Sequence, residues 1–216
     1  RFNGQLASKS AVELGAIAIK AAVEKAKLSG NDIDQVLMGN VIQAGTGQNP
    51  ARQASMAAGL GEQVPAITIN DVCASGMSSV DLAASLIRAG QANVIVAGGM
   101  ESMSQAPYVL PKARNGYRFG NGTLLDAMQS DALNDVYGGY PMGITAENIN
   151  DKYQITRHQQ DEFALMSHQH AVKAQKAGYF DSEIVPVAVK QKRTTVTVTV
   201  DEAPRPDTSL ADLAKL

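Results

Sequence analysis

The fold class of this chain follows from residues 66–76, which read Ala66-Ile67-Thr68-Ile69-Asn70-Asp71-Val72-Cys73-Ala74-Ser75-Gly76. An apolar run of strand length passes directly into a turn of small residues, and a pattern with helical spacing then continues to about Gly90. This order predicts a buried strand, a turn, and a helix whose first turn contains Cys73.

The same alternation of strand and helix patterns occurs elsewhere in the first hundred residues. Apolar runs at 36–42 and 94–99 have the length of strands, and Ser10 with Glu13 forms a capping-box pattern that starts a helix. Continuous apolar runs that alternate with helices indicate parallel strands covered on both faces. We therefore expect residues 1–100 to form a layered α/β core.

The composition changes after the first hundred residues. A polar, glycine-broken segment precedes a long helical pattern that Thr156 caps and Gly178 ends, and a β-like stretch follows at 184–200. We expect residues 101–216 to form a loop or lid domain inserted into the α/β half. The chain starts at Arg1 and its last residues stop within a helical pattern, so both ends are expected to continue in a longer protein.

Composition and charge argue against several classes of partner. The 216 residues are 44% hydrophobic, and 19 basic against 21 acidic side chains leave a net charge of -2. Nucleic-acid binding draws on a cationic surface, so no nucleic-acid partner is expected. No apolar run approaches the ~20 residues of a membrane span and no leader pattern occurs, so we expect a cytoplasmic protein with no membrane partner.

Cys73 is the strongest candidate for a catalytic nucleophile in this sequence. At a strand-to-helix junction, free backbone N–H groups and the positive end of the helix dipole favour a thiolate, and the small residues after it leave the sulfur accessible. The other interpretation is an inert, buried thiol, because a lone cysteine often packs as a small hydrophobe. As the one cysteine, it excludes an internal disulfide and a cysteine-built metal site.

No general base for Cys73 is evident. All three histidines fall within one helical pattern, at positions 158, 168 and 170, and His168 and His170 point to different faces. We expect no metal site. Without a general base, the sequence accounts for the nucleophile of a reaction but not for the group that takes its proton.

Four motifs occur in order along the chain and together resemble the thiolase family. They are Gly45-Thr46-Gly47-Gln48-Asn49-Pro50-Ala51-Arg52-Gln53-Ala54, Asn70-Asp71-Val72-Cys73-Ala74-Ser75-Gly76-Met77, Gly98-Gly99-Met100-Glu101-Ser102-Met103-Ser104 and Met142-Gly143-Ile144-Thr145-Ala146-Glu147-Asn148. The resemblance covers essentially the whole sequence. It strengthens the interpretation of Cys73 as a nucleophile.

The resemblance implies a thiolase-like layered α/β fold, of which this chain is the first half. A thiolase has two similar halves with a loop domain inserted in the first, so residues 1–100 correspond to the first half without its opening strand and 101–216 to most of the loop domain. The family's Gly-His-Pro and Cys-x-Gly-Gly-Gly motifs, which carry its catalytic histidine and second cysteine, do not occur here. We therefore expect the isolated chain to be inactive or nearly so.

The activity implied by the resemblance is a reversible Claisen condensation. Cys73 takes the acetyl group of acetyl-CoA, and a second acetyl-CoA attacks the acyl-enzyme to give acetoacetyl-CoA and coenzyme A. The positions that match the family's coenzyme A contacts are Leu133, Met142 and Arg205. No cofactor is implied, because the coenzyme A thioester is the substrate, and a homo-oligomer, dimer or tetramer, is expected.

Two other interpretations stay open. The family's biosynthetic members have histidine where this chain has Pro141, which leaves room for a degradative 3-ketoacyl-CoA thiolase acting on longer chains. The other, of a different class, is a non-catalytic module for coenzyme A binding or assembly, which would bind coenzyme A without turnover.

Overall fold

The computed structural model describes residues 1–216, which divide into two compact units. The α/β unit comprises Phe2 and Ala7–Asn134, and the C-terminal unit comprises Arg1, Asn3–Leu6 and Asp135–Leu216. The contacts thus divide the chain near Asn134, whereas the sequence patterns suggest a division near residue 100. The assignment of 101–216 to an inserted loop domain stays a prediction, because compactness alone does not define a family's domains.

The α/β unit contains three parallel strands and three helices in alternation. In chain order these are α1 (Ala11–Lys25), β1 (Gln35–Gly39), α2 (Pro50–Ala57), β2 (Ala66–Ile69), α3 (Ser75–Arg88) and β3 (Ile95–Gly99). The sheet order is β2-β1-β3, and β1 pairs in parallel with both neighbours. The prediction of a parallel α/β core is confirmed.

The central strand β1 is covered on both faces, as its unbroken apolar sequence predicts. Val36 and Met38 belong to one buried cluster with residues of α1 and α2, including Ile19 and Val23. The next residue along the pleat, Gly39, faces the opposite way, and a Cβ there would meet the first turn of α3. Helices therefore lie on both sides of the sheet, which gives the layered α/β arrangement.

The start of α1 is fixed by the capping box that its sequence predicts. The Glu13 N–H donates to Ser10 Oγ at 3.1 Å, and the Ser10 N–H donates to Glu13 Oε2 at 2.9 Å. The Ser10 N–H is the main reason that the pKa of Glu13 is lowered from 4.5, and Lys9 lowers it further. The start of α1 is thus held in part by the ionised carboxylate of Glu13, which becomes protonated at acidic pH.

Between β3 and the end of the α/β unit the chain forms short elements. These are the antiparallel pair β4 (Tyr108–Val109) and β5 (Leu125–Asp126), single turns at Met103–Gln105 and Ala113–Asn115, and a π-helical turn at Gln129–Leu133. The π-helical turn brings Leu133 back towards the carboxyl ends of the strands.

The C-terminal unit consists of helices and one hairpin. Its elements are α4 (Met142–Tyr153), α5 (Arg157–Lys176), β6 (Val187–Gln191), β7 (Thr194–Val198) and the single turn α6 (Leu210–Leu213). Thr156 and Gln159 form the capping box of α5, and the β-like stretch pairs as an antiparallel hairpin. None of the helices combines the length and the apolar character needed to cross a membrane.

Candidate functional site

Cys73 lies at the carboxyl end of β2 with an exposed, free thiol. The sequence-based placement in the first turn of α3 is wrong by two residues, because the helix begins at Ser75 with Ala74 as its cap. The reason is a sharp turn before the helix, in which Val72 has a left-handed φ of 47° and the Ala74 N–H donates to Asp71 O at 3.0 Å. A β-branched residue adopts this conformation only when its surroundings enforce it.

Ser75 holds that turn closed. Its buried hydroxyl accepts from the Asp71 N–H at 2.9 Å and donates to Val72 O at 2.6 Å. One side chain therefore joins both ends of the segment that contains Cys73. Ser75 is a site residue that the sequence does not reveal, because its small size indicates only that the sulfur is accessible.

Three glycines let the start of α3 rest directly on the sheet. A Cβ on Gly39 would lie 2.6 Å from Ser75 C and 2.7 Å from Gly76 N, and one on Gly99 would lie 3.3 Å from Gly76 Cα. Helix and sheet approach this closely only because none of these positions carries a side chain. The contact brings the turn with Cys73 to the carboxyl ends of β1 and β3.

Cys73 lines a cavity of about 440 Å³ at those strand ends. The walls come entirely from the α/β unit: Gly39, Asn40, Val41, Ile42, Val72, Cys73, Ser75, Gly76, Gly99, Met100, Glu101, Met103, Ala132 and Leu133. Of the four predicted site residues, the structure thus brings Cys73 and Leu133 together. The walls are mostly apolar, as in sites that hold small molecules.

Glu101 organises the wall of this cavity opposite the helix start. Its carboxylate accepts from the Val41 N–H at 2.8 Å, the Ile42 N–H at 3.3 Å and Asn40 Nδ2 at 2.9 Å. Asn40 also donates to Met100 O at 3.2 Å, while its own buried Oδ1 accepts no hydrogen bond. These bonds end β1 at Gly39, three residues earlier than its apolar run suggests.

The α/β unit supplies no base for Cys73. It contains no histidine, and Glu101, the one acidic residue of the cavity wall, is engaged by the backbone. The histidines lie on α5, where His158 faces Glu162 at 3.2 Å and His168 Nδ1 accepts from the Arg205 N–H at 3.1 Å. No cluster of three histidine, cysteine or acidic side chains is arranged to hold a metal ion.

Met142 and Arg205 belong to the C-terminal unit. Met142 is the first residue of α4 and about half exposed, and Pro141 stands before it as the cap residue. Arg205 is exposed and lines a separate cavity of about 500 Å³ against one face of α5. Their predicted contacts with coenzyme A stay predictions.

The family model described as "Thiolase, N-terminal domain" matches residues 1–216. The chain belongs to the thiolase family. The resemblance of the four motifs is therefore confirmed, and the layered α/β fold is the fold of a thiolase first half.

Similar proteins agree with this assignment. The thiolase chain is 53% identical over its full length to a protein named acetyl-CoA acetyltransferase from Escherichia coli (strain K12), of which it covers 55%. It is 55% identical over 193 residues to a protein of the same name from Cupriavidus necator, covering 89% of this chain and 49% of the relative.

A solved structure matches the fold as well. The crystal structure of the Bacillus anthracis acetyl-CoA acetyltransferase has a TM-score of 0.96 at 40% identity, over 100% of this chain and 54% of that one. This thiolase chain thus spans about half the length of the curated relatives it matches.

Proposed function

We propose that Cys73 carries the acyl group in an acetyl-CoA C-acetyltransferase reaction that condenses two acetyl-CoA to acetoacetyl-CoA. The observation that supports this most is the exposed sulfur on the wall of a cavity of about 440 Å³ in a thiolase chain. A free thiol in a closed turn beside a helix start has the position that nucleophilic catalysis requires.

In the first half-reaction, Cys73 Sγ attacks the carbonyl carbon of acetyl-CoA. A carbon–sulfur bond to Cys73 forms, the bond from the carbonyl carbon to the sulfur of coenzyme A breaks, and the thiol proton passes through a base to the leaving thiolate. The negative oxygen of the tetrahedral intermediate needs N–H donors, and the N–H of Cys73 is the proposed one. The base is proposed to come from outside this chain, in the part that the longer relatives have in addition.

In the second half-reaction, a base removes a proton from C2 of another acetyl-CoA, and that carbon attacks the acyl group on Cys73. A carbon–carbon bond forms, the thioester to Cys73 breaks, and its thiolate takes up a proton. Leu133 would contact the pantetheine arm from the cavity wall, and Met142 and Arg205 would contact the arm and the nucleotide end from the C-terminal unit. Thiolysis runs the same steps backwards.

The assembly and location follow the same proposal. We expect a homo-oligomer of two or four copies in the cytoplasm, where a free cysteine stays reduced. No cofactor is needed, since the coenzyme A thioester is itself the substrate. Light scattering of the purified protein measures the number of copies.

Acetylation of Cys73 tests the proposal. A protein of the relatives' length that contains this chain is incubated with increasing acetyl-CoA, and the mass of the peptide that contains Cys73 is followed over time. We expect acetylation whose rate saturates with acetyl-CoA, its loss in Cys73→Ser, and no turnover of acetoacetyl-CoA by the chain alone. Acetylation that rises without saturation, at the rate of free cysteine, would refute a bound Michaelis complex.

A second candidate is a degradative thiolase that acts on longer 3-ketoacyl-CoA chains. Pro141 favours it, because the resemblance places a histidine there in biosynthetic members, and proline offers the pantetheine arm no side-chain hydrogen bond. In a protein of the relatives' length, thiolysis of acetoacetyl-CoA without thiolysis of long-chain 3-ketoacyl-CoA would exclude this candidate.

A further inference from the structure

Three Asn-Gly pairs occur in the chain, at residues 3–4, 115–116 and 121–122. In such a pair the backbone nitrogen of the glycine can attack the side-chain carbonyl carbon of the asparagine, because the bond between them closes a five-membered ring. The glycine carries no Cβ that would hinder this approach. The two reacting groups lie on adjacent residues, so their reaction needs no other molecule to bring them together.

Two of the three pairs hold the attacking nitrogen in a hydrogen bond. The Gly4 N–H donates to Arg1 O at 3.0 Å. The Gly116 N–H donates to Ala113 O at 3.1 Å. In both pairs the nitrogen must leave its acceptor before it can turn towards the asparagine side chain, which adds to the barrier of the attack.

The pair Asn121-Gly122 has no such restraint. The Gly122 N–H donates to no acceptor, and the Asn121 side chain makes no hydrogen bond. Both residues are exposed, and residues 121–124 belong to no helix or strand. The attack at this pair therefore breaks no existing hydrogen bond.

The ring of Tyr117 favours a glycine after Asn121. A Cβ on Gly122 would lie 2.7 Å from Tyr117 Cε1, 3.0 Å from Cδ1 and 3.1 Å from Cζ. The ring rests against the backbone because no side chain stands between them. The packing of this loop thus keeps a glycine at the position that makes the pair reactive.

The surroundings of this pair are positively charged. Asn121 and Gly122 line a cavity of about 430 Å³ together with Lys112 and Arg118, and no acidic residue lines it. Neither cation forms a salt bridge. Positive charge nearby stabilises the negative charge that develops on the glycine nitrogen and the amide oxygen during the attack. The cavity therefore favours the reaction, and its cations have no carboxylate of their own.

We propose that Asn121 is a site of spontaneous deamidation, which places a carboxylate beside Lys112 and Arg118. The Gly122 nitrogen loses its proton and bonds to Asn121 Cγ, while the bond from Cγ to the side-chain nitrogen breaks and ammonia leaves. Water then opens the succinimide ring at either carbonyl, which gives aspartate or isoaspartate without oxidation or reduction. The modification is independent of the reaction proposed for Cys73.

Peptide mapping tests the proposal in a protein of the relatives' length that contains this chain. The protein is incubated at mildly alkaline pH and digested with trypsin, which cuts after Arg114 and Arg118 and so separates Asn115 from Asn121. The mass and elution of each peptide report loss of the amide and formation of isoaspartate. We expect Asn121 to react first, and Asn3 and Asn115 about two- to tenfold more slowly, because each must first lose a backbone hydrogen bond.

Unfolding and substitution supply the controls. In concentrated urea the three pairs should react at similar rates, since the hydrogen bonds that distinguish them are gone. Asn121→Gln should abolish the early change, because glutamine would have to close a larger ring, whereas the matched variant Asn115→Gln should leave it intact. Lys112→Gln should slow deamidation of Asn121 by up to about fivefold, and Lys190→Gln, on the exposed hairpin, should not slow it.

Several results would overturn the proposal. It is wrong if Asn3 or Asn115 reacts as fast as Asn121 in the folded protein, or if Asn121 keeps its amide there while the unfolded protein loses it. An early change that persists in Asn121→Gln would also exclude it. Equal slowing in Lys112→Gln and Lys190→Gln would contradict the stabilisation by the cations of the cavity. These measurements involve no acetyl-CoA, so they leave acetylation of Cys73 to its own test.

Discussion

The contact between Gly39 and α3 gives the most direct test of how Cys73 is held in place. In Gly39→Ala, the added Cβ would lie 2.6 Å from Ser75 C, 2.7 Å from Gly76 N and 2.8 Å from Ser75 Cβ, whereas ordinary contact starts at 3.4 Å. Two of these atoms are backbone, so a rotamer change cannot relieve the clash. The helix start must retreat by about 0.8 Å, the difference between 3.4 and 2.6 Å.

Two terms of opposite sign set the stability of Gly39→Ala. Overpacking of a close-packed site costs about 1–3 kcal/mol, and the loss of backbone freedom in the unfolded chain returns about 0.4–1 kcal/mol. We expect a net decrease in the free energy of unfolding of about 1–2 kcal/mol. Because a displacement of about 1 Å can cost about a hundredfold in rate, acetylation of Cys73 by acetyl-CoA should slow by one to two orders of magnitude.

Gly98→Ala is the matched control. It lies near the carboxyl end of the neighbouring strand β3, and an added Cβ would have Met38 Sδ as its nearest neighbour at 3.6 Å, which is ordinary contact with a flexible side chain. Urea unfolding and the acetylation rate are measured for both variants, and Gly98→Ala should be as stable as the parent or up to about 1 kcal/mol more stable. If Gly39→Ala matched Gly98→Ala in both measurements, the idea that α3 rests on Gly39 would be wrong.

Three further changes test other parts of the structure. Ser75→Ala removes a buried hydroxyl with two backbone partners and should lower the free energy of unfolding by about 1–3 kcal/mol and slow acetylation of Cys73, with both measured against the parent. Glu101→Gln puts an amide where the carboxylate accepts three N–H bonds, so urea unfolding should show a loss of similar size, and an unchanged midpoint would contradict the role given to Glu101. The folded-state pKa of Glu13 is lowered from 4.5, so its negative charge stabilises the fold above pH 4.5, and this stabilisation is lost as the pH falls through the folded-state pKa. Glu13→Gln should therefore be less stable than the parent at neutral pH. The difference between the two free energies of unfolding should shrink below pH 4.5, which unfolding at several pH values measures.

Much of the α/β unit is predictable from local patterns. Apolar runs of strand length with helices between them identify a parallel sheet, and the capping box at Ser10 and Glu13 places the start of α1 correctly. Both signals are local, because hydrophobic periodicity and caps act within a few residues of the chain. The end of β1 is not predictable in this way, since Glu101, some sixty residues away in sequence, bonds the backbone that would have continued the strand.

Some residues of the candidate site are likewise recognisable from the sequence, and others are not. Cys73 is recognisable as the lone cysteine between a strand and a helix. Leu133 lines the same cavity, and its contact with coenzyme A stays a prediction. The functions of Ser75, Glu101 and Gly39 are not recognisable from the sequence, because each depends on a contact with a turn or helix end whose position is known only after folding. The motifs show that a small residue or a carboxylate is present, but they do not indicate which backbone groups it contacts after folding.

The two walls of the Cys73 cavity are held by different residues at the carboxyl ends of β1 and β3. One wall rests on Gly39 of β1 and Gly99 of β3 through α3, and the other is held by Glu101 just beyond β3. In an open parallel sheet, ligands bind at the carboxyl ends of the strands, where successive connections leave in opposite directions. In the order β2-β1-β3, the connection after β1 runs to one side and that after β2 returns across it to the other. Because every residue that lines the cavity belongs to the α/β unit, substitutions at Gly39, Ser75 and Glu101 alter the surroundings of Cys73 without changing a residue of the C-terminal unit.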